Sequence, residues 1–492
     1  MKGAVVAALA VAVLAGGAVA AVPVIEGRAA AQLKAEIESD GTTKVDKVEV
    51  GFFARSVTLS NLRWKDADEI SADEWSMTGL SWPAGELLRG RTPIDGWRLG
   101  DPVQAARVEA KNVRLSRRSG DSWTVSSIVI EGLDLARFDG RPEPGPYGPV
   151  VVAARIGRAL SLRRFEQRNL VARRPGPSAE VFSIASVVAE NVDHGKIGAV
   201  RFSNFEVAGQ GKSDPSFRMT ELSADGIDLQ RILTPMSATG WHFGMPIGRL
   251  GLESASASGF GGEDLARYGL SLGRITHRTV REGTGVLRST TKVEGFVLAP
   301  PATPQALTVR LAMTGMGLKE VRLGFECTGV EDRGRAELTV EHCTLAGPDL
   351  AELNFTVKLV QADQPFWEAI DTGETLRMLT SKVALVSAKL TLADKTLLER
   401  LLKAAALAKG KPVAAFRAEV ASEVRRWQPA GVLISEDMTK LLDSAARFIE
   451  KGGTLAIEAK PDPPFGVDKV RFLMRPDPDL VSLLGLSASL SR

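Results

Sequence analysis

Val57-Thr58-Leu59-Ser60-Asn61-Leu62-Arg63-Trp64 sets the pattern for most of the chain. Its frame is apolar-x-apolar-x-[Asn/Gly]-apolar-x-apolar. The frame returns at Val108–Leu115, Ile128–Leu135, Val200–Val207, Leu222–Leu229, Thr291–Leu298 and Leu338–Leu345, with partial copies at Val187–Val192 and Ala255–Phe260. Apolar residues two apart mark one face of a strand, because side chains alternate with period two. After the fifth position the apolar phase slips by one. A slip keeps one face apolar if the backbone inserts an extra residue, as in a β-bulge. The fifth residue is Asn61, Asn112, Gly132, Asn204, Gly226 or Gly295, the types that best tolerate positive φ, and His342 is the exception. The expected fold class is therefore mainly β: a long, curved, antiparallel-type sheet of bulged repeat strands.

Composition excludes several functions. The 62 basic and 59 acidic side chains give a net charge of +3, without the clustered cations of a nucleic-acid surface. The scarcity of cysteine and histidine, two and four in the whole chain, argues against a structural metal site, which normally takes four such ligands. Gly209-Gln210-Gly211-Lys212-Ser213 has the end of a phosphate loop, but Glu206 stands where its first glycine belongs. In Glu341-His342-Cys343 the last two side chains point to opposite faces of a strand, which excludes a Cys–His pair. His194, His242 and His277 are isolated in sequence. No cofactor fingerprint and no catalytic constellation emerge, and a secreted hydrolase has no residues to support it.

At the N-terminus, residues 4–25 are uncharged and apolar, following Lys2. As a helix they would span roughly 33 Å, enough for a hydrocarbon core. The helical stripe continues through Ile25, Ala29–Ala31, Leu33 and Ile37, which favours an uncleaved anchor with the rest of the chain exported. A cleaved signal after Ala18-Val19-Ala20, releasing a soluble periplasmic protein, is the alternative. The chain then divides into the anchor and helix at 1–40, the repeated strands at 41–364, and a helix-rich cap with a final strand at 365–492.

The run from Ala4 to Trp64 (helix, glycine turn, strand, bulged strand), supported by the octamers through residue 345, resembles the AsmA-like family of bacterial envelope proteins. That resemblance implies one inner-membrane helix and a periplasmic β-groove that carries lipid or assists envelope assembly. Phospholipid or lipopolysaccharide, the inner membrane through residues 4–25, and envelope-assembly proteins are the partners it implies. The function expected is non-catalytic lipid binding or transfer; a structural or regulatory role in outer-membrane protein assembly, without bound lipid, is the alternative.

The groove lining expected from the octamers is Leu59, Leu62, Trp64, Ile130, Leu133, Phe202, Phe205, Ile227 and Leu229. The intervening Thr58, Arg63, Glu109, Arg114, Asp134, Arg201, Glu206 and Asp228 then fall on the wetted face. A longer echo pairs Glu131–Phe138 with Asp225–Ile232, each followed by Ile-Gly-Arg, at 156–158 and 247–249, where a return strand is expected to begin. Trp75, Trp82 and Trp97 read as edge packing. Leu307–Gly315 and the segments up to residue 360 read as a meander. Its Glu331–Arg335 turn places Cys327 and Cys343 on adjacent strands for a disulfide, though their offsets from the turn are unequal. Lys395–Lys409, Lys411–Trp427 and Asp437–Lys451 read as helices, and Thr454–Ala459 as the last strand before an apolar tail at Leu480–Leu490.

Overall fold

The computed structural model describes residues 22–39, 41–66, 68–81, 86, 89, 91–92, 94–141, 143–145, 148–176, 180–209, 215–239, 251–372, 378, 380–428, 435–467 and 480–491. The fold is mainly β, with 21 strands among the described residues in an open antiparallel sheet. By internal contacts the chain forms two compact units, residues 1–215 with 223–243, and residues 216–222 with 244–492.

The first unit opens on helix α1, residues 22–37. Strands β1 (Thr43–Lys44) and β2 (Lys47–Gly51) pair one edge of β3 (Ser56–Lys65), and β4 (Glu69–Thr78) pairs the other. Then β5 (Val103–Ser116), β6 (Ser122–Leu135), β7 (Leu160–Arg174), β8 (Glu180–Asp193) and β9 (Lys196–Gly209) add in chain order as long hairpins. α1 closes the first strands. Its Ala29 and Leu33 pack with Val48, Val57, Leu59, Met77, Ala105 and Val108 in one buried core. Between β6 and β7 lies helix α2 (Gly148–Ala159), and after β10 (Phe217–Asp228) comes α3 (Gln230–Thr239).

These two helices correct the expected return strand. Ile156-Gly157-Arg158 ends α2, and β7 begins only at Leu160. Pro149, in the first turn, suits a helix start because its missing N–H has no intrahelical partner there. The Arg158 guanidinium donates to Ser237 Oγ at 2.9 Å, tying α2 to α3, and Gly157 lies against Leu233. The second copy, at 247–249, lies outside the described residues.

The second unit holds β11 (Ser254–Ser258), helix α4 (Glu263–Arg267), β12 (Leu270–Ser271), β13 (Arg274–Arg281) and β14 (Val286–Leu298). Helix α5 (Leu307–Gly315) stands where a strand was expected. Its apolar alternation mimics a strand, but Pro304 opens a 3-10 turn that runs directly into the helix. There follow β15 (Val321–Asp332), β16 (Glu337–Gly347), β17 (Ala351–Val360), helix α6 (Gln364–Thr372) and β18 (Ala384–Asp394), the last unanticipated. Helices α7 (Leu397–Ala408), α8 (Val413–Arg425) and α9 (Glu436–Lys451) come before β19 (Thr454–Ala459), β20 (Phe465–Gly466), helix α10 (Leu480–Leu484) and β21 (Leu486–Ser491). Ser435 caps α9, accepting from the Met438 N–H, and Met438 and Leu442 of α9 pack on Val481 with Leu486 alongside.

Candidate functional site

Asn61, Asn112, Gly132, Asn204, Gly226 and Gly295 all have φ between 49° and 66°, the left-handed region. From β3 to β9, however, no residue is inserted. Ser60 faces Glu74 and Leu62 faces Ala72, so the register runs unshifted past Asn61. The same holds across Asn112, Gly132 and Asn204. Extra residues appear in the second unit, at Glu294-Gly295 against Gly324, at Glu341 in β16 and at Val386 in β18. The second of these bulges explains the unequal cysteine offsets. It brings Cys327 directly opposite Cys343, where the two form a disulfide across β15 and β16.

The left-handed residues inside strands β3 to β9 fall in two rows across the sheet. Asn61, Asn112, Asn169 and Asn204 form one row, on β3, β5, β7 and β9. Gly132 on β6 and Asn191 on β8 belong to the other, where Gly79 also lies against Ala106. On β6 the rows cross at Ser126 and Gly132, roughly 20 Å apart by strand rise. Each row resets the alternation of every strand it crosses, with or without a left-handed residue there. Val57 and Leu59 before the first row thus share a face with Leu62 and Trp64 beyond it, and their partners Met77, Trp75, Ala72 and Ile70 do the same. The Asn side chains are used as well: Asn112 Nδ2 donates to Asp73 at 2.8 Å and Asn61 Nδ2 to Asp46 at 2.9 Å.

Asn169 and Asn191 were the residues the octamer underweighted. Phe165–Ala172 fits the frame except for Gln167 in the third place.

The result is one apolar face in three bands. Cross-strand pairs carry it from β5 to β9: Leu115 with Trp123, Val113 with Val125, Val125 with Leu170, Leu170 with Ile184, and Ile184 with Phe205. The next band pairs Ile130 with Phe165, Phe165 with Ala189, and Val187 with Phe202. The opposite face is ionic. Arg107 bridges Glu109 and Glu131, Arg164 bridges Glu166 and Glu190, and Arg201 adds to Glu190. Hydrogen bonds from Arg168 and then Arg164 hold the Glu166 carboxyl below its ordinary value.

Burial grades along the apolar face. Leu59, expected to line a groove, is 2% exposed beneath α1 and is closed core instead. Leu62, Ile130 and Leu133 pack against that core while partly exposed, and Trp64 is half-buried. Phe202, Phe205, Ile227 and Leu229 are half-buried too, as are Phe182, Ile184 and Val187 beside them. On β8 and β9 the face thus remains partly open. Of the intervening residues, Arg63, Arg114, Asp134, Arg201 and Glu206 are exposed. Trp75 packs against the first core, the Trp97 indole donates to the Asp101 carbonyl, and Trp82 lies outside the described residues.

The second unit has its own apolar face. One row of paired residues crosses it: His277, Thr291, Cys327, Cys343, Phe355, Leu390, Ile457 and Ala488. Leu345, Phe355 and Leu390 are exposed there. His277 stands between hydroxyls, Nδ1 2.9 Å from Thr291 Oγ1 and Nε2 3.0 Å from Thr279 Oγ1, and burial pushes its pKa down.

Among the described residues, one group of catalytic residue types meets without the geometry of a triad. Ser161, Asp193 and His194 come together from facing strands, a cluster invisible in sequence. Both the hydroxyl and the carboxylate reach Nδ1, so the ring has no second nitrogen between them to relay a proton. Cys343 is in the disulfide, and His342 is 3.9 Å from Glu326. No cluster of three metal-ligating side chains occurs among the described residues. Nor is any described helix long and apolar enough to cross a membrane, while residues 4–21 lie outside the described residues.

A family model whose description reads "Uncharacterized protein" matches residues 344–490, from β16 into β21. No curated protein matches the chain.

Proposed function

We propose that this is a non-catalytic lipid-binding or lipid-transfer protein of the bacterial envelope, held in the inner membrane through residues 4–25, with acyl chains lying on the apolar face. The observation that supports this reading is the pairing of Val187 with Phe202 and Ile184 with Phe205 on strands whose apolar side stays half-open. Water against that face is unfavourable, and each methylene laid on it contributes roughly 0.8 kcal/mol. On the other side of the same strands Glu190 pairs with Arg164 and Arg201, so the apolar side is the one that suits a lipid tail. Phospholipid and lipopolysaccharide both supply such tails, as the resemblance to AsmA-like proteins implies. Organic extraction of the purified protein followed by mass spectrometry tests the reading. Lipid in stoichiometric amount is expected; protein that carries none would favour an envelope-assembly role.

A further inference from the structure

The end of the first unit's sheet opposite α2 and α3 carries a group of residues for which the acyl-chain face has no need. The turn after β5 holds Arg117 and Arg118, and β7 ends on Arg173 and Arg174, all four exposed. The two hairpin ends touch: a Cβ on Gly120 would meet the Pro175 ring at 2.9 Å, and Ser122 pairs with Arg173. Against these four cations the same two hairpin ends set Asp121, which accepts from Ser119, and Glu180. Arg117 lies over the Trp123 ring, 5.1 Å from its centroid, and 4.0 Å from Asp68. Arg118, Arg173 and Arg174 have no ionic partner among the described residues.

Trp123 supplies the second half of the argument. It is 43% exposed, yet it belongs to the apolar face, paired with Leu115 and Ala172. An amphipathic indole at the end of an apolar face, with Arg117 over its ring and three guanidinium groups without ionic partners on the same two hairpin ends, matches the layering of a bilayer surface. There the ring sits at headgroup depth and the cations meet phosphates. The other end of these strands, closed by α2 and α3 with Val151, Ala154 and Ile232 buried, has no such layering.

We propose that the Arg117/Arg118/Arg173/Arg174–Trp123 end of the sheet docks on an anionic lipid bilayer. Docking rests on the lipid-binding reading only for its purpose, which is to place a membrane at the mouth of the apolar face. Each cation at such a surface contributes a factor of about five in binding.

The test uses the full chain embedded in neutral phosphatidylcholine nanodiscs, with acceptor vesicles of phosphatidylcholine and phosphatidylglycerol recovered by flotation. Wild type should capture the anionic vesicles, with capture weakening as salt rises, and leave pure phosphatidylcholine vesicles behind. Arg118→Gln/Arg173→Gln/Arg174→Gln should lose about a hundredfold in capture, and Trp123→Ala a smaller part. A control, Arg164→Gln/Arg201→Gln on the ionic face, should capture as wild type does. Equal capture of neutral vesicles, an unaffected triple variant, or equal loss in the control would overturn docking. Lipid extracted from the same purified proteins before they enter nanodiscs separates the two readings, since docking can fail while bound lipid is retained.

Discussion

Replacing Gly132 tests whether the rows of left-handed residues shape the sheet. Gly132 has φ +64° in the middle of β6, and a Cβ there would lie 3.2 Å from Arg163 Cβ. A valine would bear the left-handed penalty of an L-residue, about 1–2 kcal/mol, increased by its branched Cβ. The tight approach to Arg163 adds to it, because β7 must give by a few tenths of an ångström. Together these predict a loss of about 2–3 kcal/mol for Gly132→Val. Gly132→Asn meets the same neighbour but takes the left-handed conformation that asparagine holds at Asn112, Asn169, Asn191 and Asn204, and should cost about 1 kcal/mol or less. Gly324→Ala, with nothing within 4 Å of the added Cβ and no positive φ, should be close to neutral. Urea unfolding followed by hydrogen exchange in β6 and β7 gives the comparison. If valine and asparagine at 132 are equally tolerated, the backbone row is not what bends these strands.

Other outcomes follow from burial and chemistry. Leu59→Asp should unfold the first unit because its carboxylate cannot be hydrated beneath α1, whereas Phe205→Asp should keep the fold, as read by circular dichroism, and lose bound lipid. Thiol titration of denatured, non-reduced protein should find no free thiol at Cys327 or Cys343; two thiols would refute the bond. Burial lowers the His277 pKa, so the unfolded chain protonates first as pH falls; stability is therefore full above the ordinary value of 6.5 and declines below it. His277→Asn should flatten that part of the melting-temperature profile, and an unchanged acid slope would place the titrating group elsewhere.

Much of this architecture was legible because the octamer encodes a physical event. Asn or Gly at the fifth place announced the left-handed residue, and the apolar slip announced the reset of alternation at Asn61, Gly132 and Asn204. Sequence did not reveal that the register stays unshifted, since insertion and left-handed reset leave the same apolar pattern on a single strand. Only the facing strand distinguishes them, as Ser60–Glu74 and Leu62–Ala72 do. The helices α2 and α5 were obscured because Val150, Val151 and Val152 favour strands and Leu307, Val309 and Leu311 alternate. Leu59 was misplaced for another reason: α1 covers β3 through contacts that no periodicity records. The Arg117–Trp123 group was hidden because hairpin pairing brings Arg173 beside Ser122 across a long stretch of chain.

The central claim is that acyl chains lie on the side of β9 that bears Phe202 and Phe205. Photocrosslinking addresses it directly, with a benzophenone amino acid placed at Phe205 or, one residue on, at Glu206, in the full chain within cells. The account predicts lipid-mass adducts at 205 and none at 206, because neighbouring side chains on a strand face opposite ways. Adducts at both positions, or at neither, would contradict it.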